Sequence, residues 1–214
     1  MDALLAVGLA NAATFGVRAL VRPATGLPLA GAFVLSLDRA LPARAREYRA
    51  TDALDAPLEL LALLIVVDFV QYWAHALTHR LRRKAHAVHH RHTRPTPAVA
   101  FDTGLEDALA QVLLPVAAAV HAVDPSRVAL VAFGVVYSLW LQFIHGHVRV
   151  PRGVARFLVS PAFHRAHHVD PTKNLGHVFV LWDRAFGTEA DETVGCAPTP
   201  SRAGGRGGTA ATFW

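Results

Sequence analysis

The segment LELLALLIVVDFVQYWAHALTHRLRRKAHAVHH, residues 58–90, decides the fold, because an apolar stretch runs directly into a histidine-rich one. Residues 57–78 are long and apolar enough for a helix that crosses a bilayer, which needs ~20 such residues. His75 and His79 lie at the end of this stretch, and residues four apart share one face of a helix. The segment therefore predicts a membrane helix that carries two histidines together at one end.

Two more histidine clusters have helical spacing. Both read His-x2-His-His, and they are His86, His89 and His90, followed by His164, His167 and His168. His145 ends an apolar segment between them. The three rings of each cluster can converge on one side of a helix, so the ligand-bearing turns are expected to surround one pocket. Imidazole is the commonest nitrogen ligand for iron, zinc and copper, whereas histidines of a core or interface usually occur singly. The clusters therefore predict a site for two metal ions.

The composition indicates a membrane protein. Hydrophobic residues make up 53% of the chain and charged residues 17%, and the mean hydropathy is +0.31, which is more apolar than an ordinary soluble domain. Residues 3–21, 57–78, 105–122 and 127–145 predict about four transmembrane helices in an all-α, polytopic bundle. A shorter apolar stretch, 27–37, is left open as a re-entrant piece or half of an N-terminal hairpin. The acidic start Met1-Asp2 favours a retained anchor over a cleaved signal peptide.

Basic loops predict the orientation of the bundle. Residues 80–94 carry six Lys and Arg residues and residues 149–173 carry five, and a helical hairpin over 105–145 places both loops on one side. The positive-inside rule makes that side cytoplasmic, with the histidines in a helical cap. Four arginines in residues 39–50 fall on the opposite side, but the larger count decides. The cations flank apolar spans, and no nucleic-acid motif accompanies them, so anionic lipid head groups explain the net charge of +5 better than nucleic acid.

Several motifs, taken together, resemble the fatty acid hydroxylase/sterol desaturase superfamily. They are Asp68-x3-Tyr72-Trp73-x-His75-x3-His79, His86-x2-His89-His90, Phe143-x-His145, Pro161-x2-His164-Arg165-x-His167-His168, Asn174-x-Gly176 and Trp182-Asp183-Arg184-x-Phe186-Gly187-Thr188. The resemblance covers residues 57–188, which are expected to form the catalytic domain. Residues 1–56 are then N-terminal membrane segments with a basic loop, and the Gly-, Pro- and Ser-rich residues 189–214 a flexible tail. Leu175 departs from the pattern, since an aromatic residue is common there.

The resemblance implies a membrane non-haem di-iron oxygenase. Such an enzyme uses O2 and two electrons to hydroxylate or desaturate a C–H bond of a fatty acyl, sterol or isoprenoid lipid. It would hold two irons per chain and no catalytic residue beyond the metal centre. Because the chain has no flavin, haem or iron–sulfur motif, electrons would come from a ferredoxin- or cytochrome-type donor with its reductase. The implied metal ligands are His75, His79, His86, His89, His90, His145, His164, His167 and His168.

Five other residues are candidates for contacts with these ligands. Asp68 lies on nearly the same helical face as His75, and a carboxylate inside a membrane segment is costly enough to indicate a function; it is expected to accept a hydrogen bond from a ligand imidazole. Gln71 either does the same or pairs with a neighbouring helix. His147 and His177 fall outside the family pattern but near the clusters, and Asn174 is a candidate for an outer contact.

Two other classes of protein fit parts of the pattern. A zinc-dependent membrane hydrolase would use fewer histidines with a carboxylate base, and no clear base lies between these clusters. A metal transporter would place its ligands near the middle of the membrane, whereas these clusters lie mostly outside the spans. Both remain alternatives at this point.

Overall fold

The computed structural model describes residues 52–190, and this part of the chain is helical. Within it, the only β-type pairing is an isolated antiparallel bridge between Leu158 and Phe179. The predictions for residues 3–21 and 27–37, for the N-terminal region as a whole and for the C-terminal tail lie outside the described residues. The prediction of an all-α fold is confirmed for the part that the structure describes.

The structure describes eight α-helices within residues 52–190. In chain order they are α1 (Asp52–Leu81), α2 (Arg83–His90), α3 (Leu105–Ala108), α4 (Leu114–Val123), α5 (Arg127–Ile144), α6 (Arg152–Ala155), α7 (Pro161–Val169) and α8 (Leu181–Phe186). A π-helical segment, Leu109–Leu113, joins α3 to α4. Such segments often occur at functional sites.

Three helices are long and apolar enough to cross a membrane, namely Leu54–Leu81, Glu106–Val123 and Arg127–Ile144. They match three of the predicted stretches, while the fourth, residues 3–21, lies outside the described region. Many large apolar side chains on α1 are exposed, including Leu61, Ile65 and Leu77. A lipid environment accounts for such a face, because soluble proteins rarely expose a continuous apolar stripe.

The hairpin of α4 and α5, which precedes the third histidine cluster in the chain, is fixed at its turn. Asp124 has a φ of 49°, in the left-handed region, and ends α4. The Ser126 side chain then caps α5 by accepting a hydrogen bond from the Ala129 N–H at 3.3 Å. Glu59 of α1 accepts a hydrogen bond from the Ser126 N–H at 2.9 Å. These contacts tie α1 to the hairpin at the end opposite the histidines.

The helices pack around a core that runs toward the histidines. Buried Leu63 and Val67 of α1 meet Val120 of α4 and Phe133 and Leu141 of α5. The short helices lie at one end of the three long ones, where α7 begins at a Ser160 cap that accepts from the Phe163 N–H at 3.0 Å. The long helices therefore act as a frame, and α2, α7 and the segment that follows α7 form its histidine-bearing end.

Candidate metal centre

The structure brings the nine predicted ligand histidines together in two compact groups. The five-histidine group contains His75, His79, His86, His90 and His167, and the four-histidine group contains His89, His145, His164 and His168. Within each group, every histidine offers one ring nitrogen, and these nitrogens all lie within 4.8 Å of one another. Apart from His79 and His90, which are partly exposed, all of these residues are buried. Each group is of the kind that holds one metal ion.

Each His-x2-His-His helix divides its histidines between the two groups. On α2, His86 and His90 join the five-histidine group, while His89 joins the other. On α7, His164 and His168 join the four-histidine group, while His167 crosses to the five-histidine group. The pocket expected from the spacing is therefore divided into two adjacent groups, and both helices contribute to each. Residues three and four apart diverge by tens of degrees around a helix axis, which is enough to reach two centres lying side by side.

Ring nitrogens face each other at short distances inside the groups. In the five-histidine group, the Nε2 atom of His75 lies 3.1 Å from those of His79 and His86, and Nε2 of His167 lies 3.0 Å from that of His90. In the four-histidine group, Nε2 of His145 lies 3.1 Å from that of His89 and 3.0 Å from that of His164. Two nitrogens bound to one metal at ~2.1 Å are about 3.0–3.4 Å apart for right-angled to tetrahedral coordination.

Hydrogen bonds to the other ring nitrogen determine where the lone pairs point. Three histidines donate from Nδ1 to a backbone carbonyl. His75 donates to Leu175 at 2.9 Å, His167 to Lys173 at 2.7 Å and His145 to Leu141 at 2.6 Å. A carbonyl oxygen can only accept, so Nδ1 carries the proton and a neutral ring turns the lone pair of Nε2 into the group. The lone pairs of His75 and His167 therefore point into the five-histidine group and that of His145 into the four-histidine group, which suits a bound cation in each.

A carboxylate orients His86. Both oxygens of Asp107 lie within hydrogen-bond distance of His86 Nδ1, at 2.9 and 2.8 Å, and Asp107 also accepts from the Thr103 hydroxyl. Asp107 is buried near the start of a helix that is long and apolar enough to span a membrane. Carboxylate–histidine pairs of this kind fix the tautomer of a metal ligand and make its ring more basic. Sequence reasoning missed Asp107, because a carboxylate at the start of an apolar span gives a weaker signal than Asp68, which lies in the middle of one.

Burial keeps the histidines outside the spans in their neutral form. Removal from water, followed by the proximity of other imidazoles, lowers the pKa of His86, His90, His164, His167 and His168 below the ordinary value of about 6.5. Neutral imidazole is the form that binds a metal ion. The groups are therefore ready to accept metal at neutral pH without first losing protons.

The segment after α7 supplies two of the orienting carbonyls. Lys173 and Leu175 flank Asn174, which is fully buried and has a φ of 55° in the left-handed region that Asn tolerates better than most residues. The Asn174 side chain donates to the Phe163 carbonyl at 3.2 Å and accepts from the Ala190 N–H at 2.7 Å. Asn174 thus holds the backbone that presents one carbonyl to His167 and one to His75.

Two buried carboxylates hold the next five residues through their backbone. Asp183 accepts hydrogen bonds from the N–H groups of Leu175 and Gly176 at 2.7 and 2.8 Å. Asp68 accepts from residues 177, 178 and 179 at 2.9, 2.8 and 2.8 Å. Asp68 was predicted to accept a hydrogen bond from a ligand imidazole, and this was wrong, because its partners are backbone amides. Asp68 supports the site indirectly, by fixing the segment that contains the Leu175 carbonyl.

The remaining candidates occupy different surroundings. Gln71 accepts a hydrogen bond from the Tyr137 hydroxyl of α5, which is the helical-neighbour alternative rather than a ligand contact. His147 is exposed and belongs to neither group. His177 is buried, with its ring 4.8 Å from that of His75 and 5.4 Å from that of His164, measured between centroids. It therefore lies beside both groups, as its nearness in sequence suggested, without joining either.

The sequence is similar to a known protein family and to several known proteins. The model of the family described as fatty acid hydroxylase matches residues 60–188. The chain is 34% identical over 148 residues to the alternative squalene epoxidase of Phaeodactylum tricornutum, which covers 65% of this chain and 42% of that protein. No solved structure matches the chain.

Two proteins of Homo sapiens are also similar. Lathosterol oxidase is 30% identical over 138 residues, covering 61% of this chain and 44% of that protein. Alkylglycerol monooxygenase is 29% identical over 150 residues, covering 63% of this chain and 31% of that protein. The chain thus spans less than half the length of each of these relatives.

Proposed function

This chain belongs to the fatty acid hydroxylase family, part of the superfamily that includes the sterol desaturases, and on that premise we propose that it is a membrane di-iron oxygenase. Its substrate would be a lipid of fatty acyl, sterol or isoprenoid type, and its reaction an O2-dependent hydroxylation or desaturation of a C–H bond. The observation that carries this proposal is the pair of histidine groups at one end of three membrane-type helices.

The nine histidines fit the proposed metal pair. His75, His79, His86, His90 and His167 would hold one ion, and His89, His145, His164 and His168 the other. Imidazole nitrogens alone suit iron, copper and zinc, so the choice of iron rests on the family. When bound, such a redox-active pair supplies the one-electron and O2 chemistry that amino-acid side chains lack.

The protein contributes position and dryness. Carbonyls of Leu175, Lys173 and Leu141 hold three ligand rings in one tautomer, and Asp107 holds a fourth. Seven of the nine rings are buried, which excludes water from the region where a reactive species would otherwise be quenched. The apolar helices lie on the bilayer side of the site, so an acyl or sterol chain can reach it from the bilayer without passing through water.

The orientation and the electron donor are part of the same proposal. The loops at the histidine end carry most of the basic residues that flank the spans, which favours a cytoplasmic position for the site. Electrons would arrive there from an external ferredoxin- or cytochrome-type protein with its reductase. Basic residues at this end complement the acidic surfaces of such carriers, and charge complementarity mainly raises the association rate.

The alternatives fare less well against this arrangement. A zinc hydrolase needs a carboxylate free to act as a base, yet the carboxylate nearest the rings, Asp107, is engaged by His86 and Thr103. A transporter would carry its ligands along a path through the spans, whereas these groups are assembled from helix ends and the short helices α2 and α7. Neither alternative is favoured by an observation of its own.

The test is oxygen incorporation by the purified full chain in lipid nanodiscs. The protein, loaded with iron under anaerobic conditions, would receive a reductant and isotopically labelled O2 with a panel of sterol, squalene, alkylglycerol and fatty acyl lipids. We expect at least one lipid either to gain a labelled oxygen atom or to lose two hydrogens. A His145→Ala/His164→Ala variant serves as the inactive control. Hydrolysis of a lipid without O2 consumption would instead support the hydrolase.

A further inference from the structure

A basic cavity lies beside the five-histidine group, at the end of α1. It has a volume of about 480 Å³ and is lined by Arg80, Leu81, Arg82, Arg83, Lys84, Ala85 and Glu106. Four of these side chains are cationic and one is anionic, which leaves a net charge of +3 (4 − 1). We propose that this cavity binds the phosphate-bearing head group of an anionic phospholipid.

The position of the cavity relative to the membrane supports this ligand. Glu59, bonded to Ser126, marks the opposite end of the helical frame. At ~1.5 Å per residue, the stretch of α1 from Glu59 to Leu81 is about 33 Å long, close to the ~30 Å thickness of a hydrocarbon core. Leu81 and Glu106 are the terminal residues of two candidate spans, and both line the cavity. The cavity therefore lies at head-group level.

Its cations differ in how they are engaged. Arg82 forms an ion pair with Glu106, which links the ends of the two spans. Arg83 donates from Nε to the His79 carbonyl at 2.8 Å. Neither Arg80 nor Lys84 has a hydrogen bond or an ion pair within residues 52–190, and both are exposed. These two side chains are free to contact a phosphate, and Arg83 would connect that phosphate to the backbone of a group member.

Apolar surface suited to acyl chains continues from the cavity into the bilayer. Leu81 is 68% exposed, and Leu77, one turn earlier on the same face of α1, is 50% exposed. On the second span, Leu109 follows Glu106 by one turn and is 44% exposed. A basic pocket between the ends of membrane helices, with apolar surface beneath it, has the two chemistries of a phospholipid. An acidic protein would need the first but not the second.

Lipid retention tests the proposal, which rests only on the membrane placement within the proposed function. The full chain would be transferred from nanodiscs of equal phosphatidylcholine and phosphatidylglycerol, with matched acyl chains, and its bound lipids counted by native mass spectrometry. We expect phosphatidylglycerol to be retained preferentially by the wild type. An Arg80→Gln/Lys84→Gln variant should lose that retention roughly 30-fold, since two cations near a membrane together contribute about 2 kcal/mol of attraction.

An Arg149→Gln/Arg152→Gln variant removes two exposed cations from the same end of the protein but outside the cavity, and it should retain lipid as the wild type does. Equal retention of both lipids by the wild type, or equal losses in both variants, would overturn the proposed site. Unchanged retention in Arg80→Gln/Lys84→Gln, together with slower reduction by an acidic ferredoxin, would also overturn it and identify the cavity as a protein-docking face. Because this assay requires neither metal nor turnover, its outcome is independent of the oxygenase test.

Discussion

The Nε2 atoms of His75 and His86 lie 3.1 Å apart, although neither ring has a proton left for a hydrogen bond between them. His75 donates its Nδ1 proton to the Leu175 carbonyl, and His86 donates its Nδ1 proton to Asp107. Two lone pairs at this distance repel each other unless a cation lies between or beside them. This relationship between a membrane helix and α2 is the strongest local indication of a metal centre.

The first prediction concerns the carboxylate behind His86. Asp107→Asn keeps the size and an acceptor but removes the charge that makes the His86 ring more basic. We expect the ion at the five-histidine group to bind about 10- to 100-fold more weakly, and the ion at the four-histidine group to be unaffected. Titration of the loaded protein with a chelator should then show one of two release steps shifted.

Asp102→Asn provides a matched control for this variant. Its carboxylate also contacts a histidine, His92, at 2.8 Å, but His92 belongs to neither group. This substitution should leave both release steps where they are in the wild type. If Asp107→Asn also left them unchanged, the assignment of Asp107 to the metal centre would be wrong.

The second prediction concerns Gly176. A Cβ atom at this position would lie 2.7 Å from the Phe179 carbonyl oxygen and 2.8 Å from Asp183 Oδ2, both too close. Gly176→Ala must therefore displace the segment that Asp183 holds, at a cost of about 1–3 kcal/mol in unfolding free energy, and the Leu175 carbonyl would move away from His75. Thermal unfolding in detergent and metal content would measure the two effects.

Gly153→Ala is the comparison for Gly176→Ala. Gly153 lies in α6, and a Cβ added there would meet nothing within 4 Å. Because alanine is a better helix former, this variant should be as stable as the wild type or gain up to ~1 kcal/mol. If Gly176→Ala unfolded at the same temperature as Gly153→Ala, the close packing at Gly176 would not contribute to the stability of the protein.

The third prediction concerns Asp68. Asp68→Asn replaces one acceptor oxygen with an NH2 group, so one of the three backbone N–H groups of residues 177–179 must face another donor. An unsatisfied buried donor costs about 1–3 kcal/mol, and the unfolding temperature should fall accordingly. Asp170→Asn, which alters a solvent-accessible carboxylate bonded only within its own turn to Thr172, should have little effect. Equal stabilities for the two variants would contradict the account of Asp68.

The membrane-type helices and the helical spacing of the histidines could be predicted from sequence because both are local properties, whereas the assignment of nine histidines as metal ligands came from the family resemblance and stays a prediction. A long apolar run can be recognised without tertiary information, and so can the spacing that puts His75 near His79 or His86 near His90. Helix α1 is longer than the predicted stretch 57–78, since it starts at Asp52 and continues to Leu81. Hydropathy marks only the part that a bilayer would cover, whereas the helix extends beyond it at both ends.

The pairing of side chains was not accessible in the same way. Which group His89 or His167 joins depends on how α2 and α7 face each other across the site, and no spacing within one helix determines that. Asp68 was correctly singled out as a costly buried carboxylate, but its partners are 109 to 111 residues away in sequence. Asp107 lies at the start of its span and gave no such signal, and its partner His86 became evident only from the packing of the second span against α2.

The most direct test of the central claim is the number of iron ions per chain, measured by elemental mass spectrometry on protein purified without oxygen. We predict two in the wild type, about one in His75→Ala/His86→Ala, and about one in His145→Ala/His164→Ala, since each variant removes two ligands from a different group. An exposed-histidine variant, His147→Ala, should still hold two. A single ion in the wild type, or loss of both ions from either folded double variant, would contradict two separate centres built from shared helices.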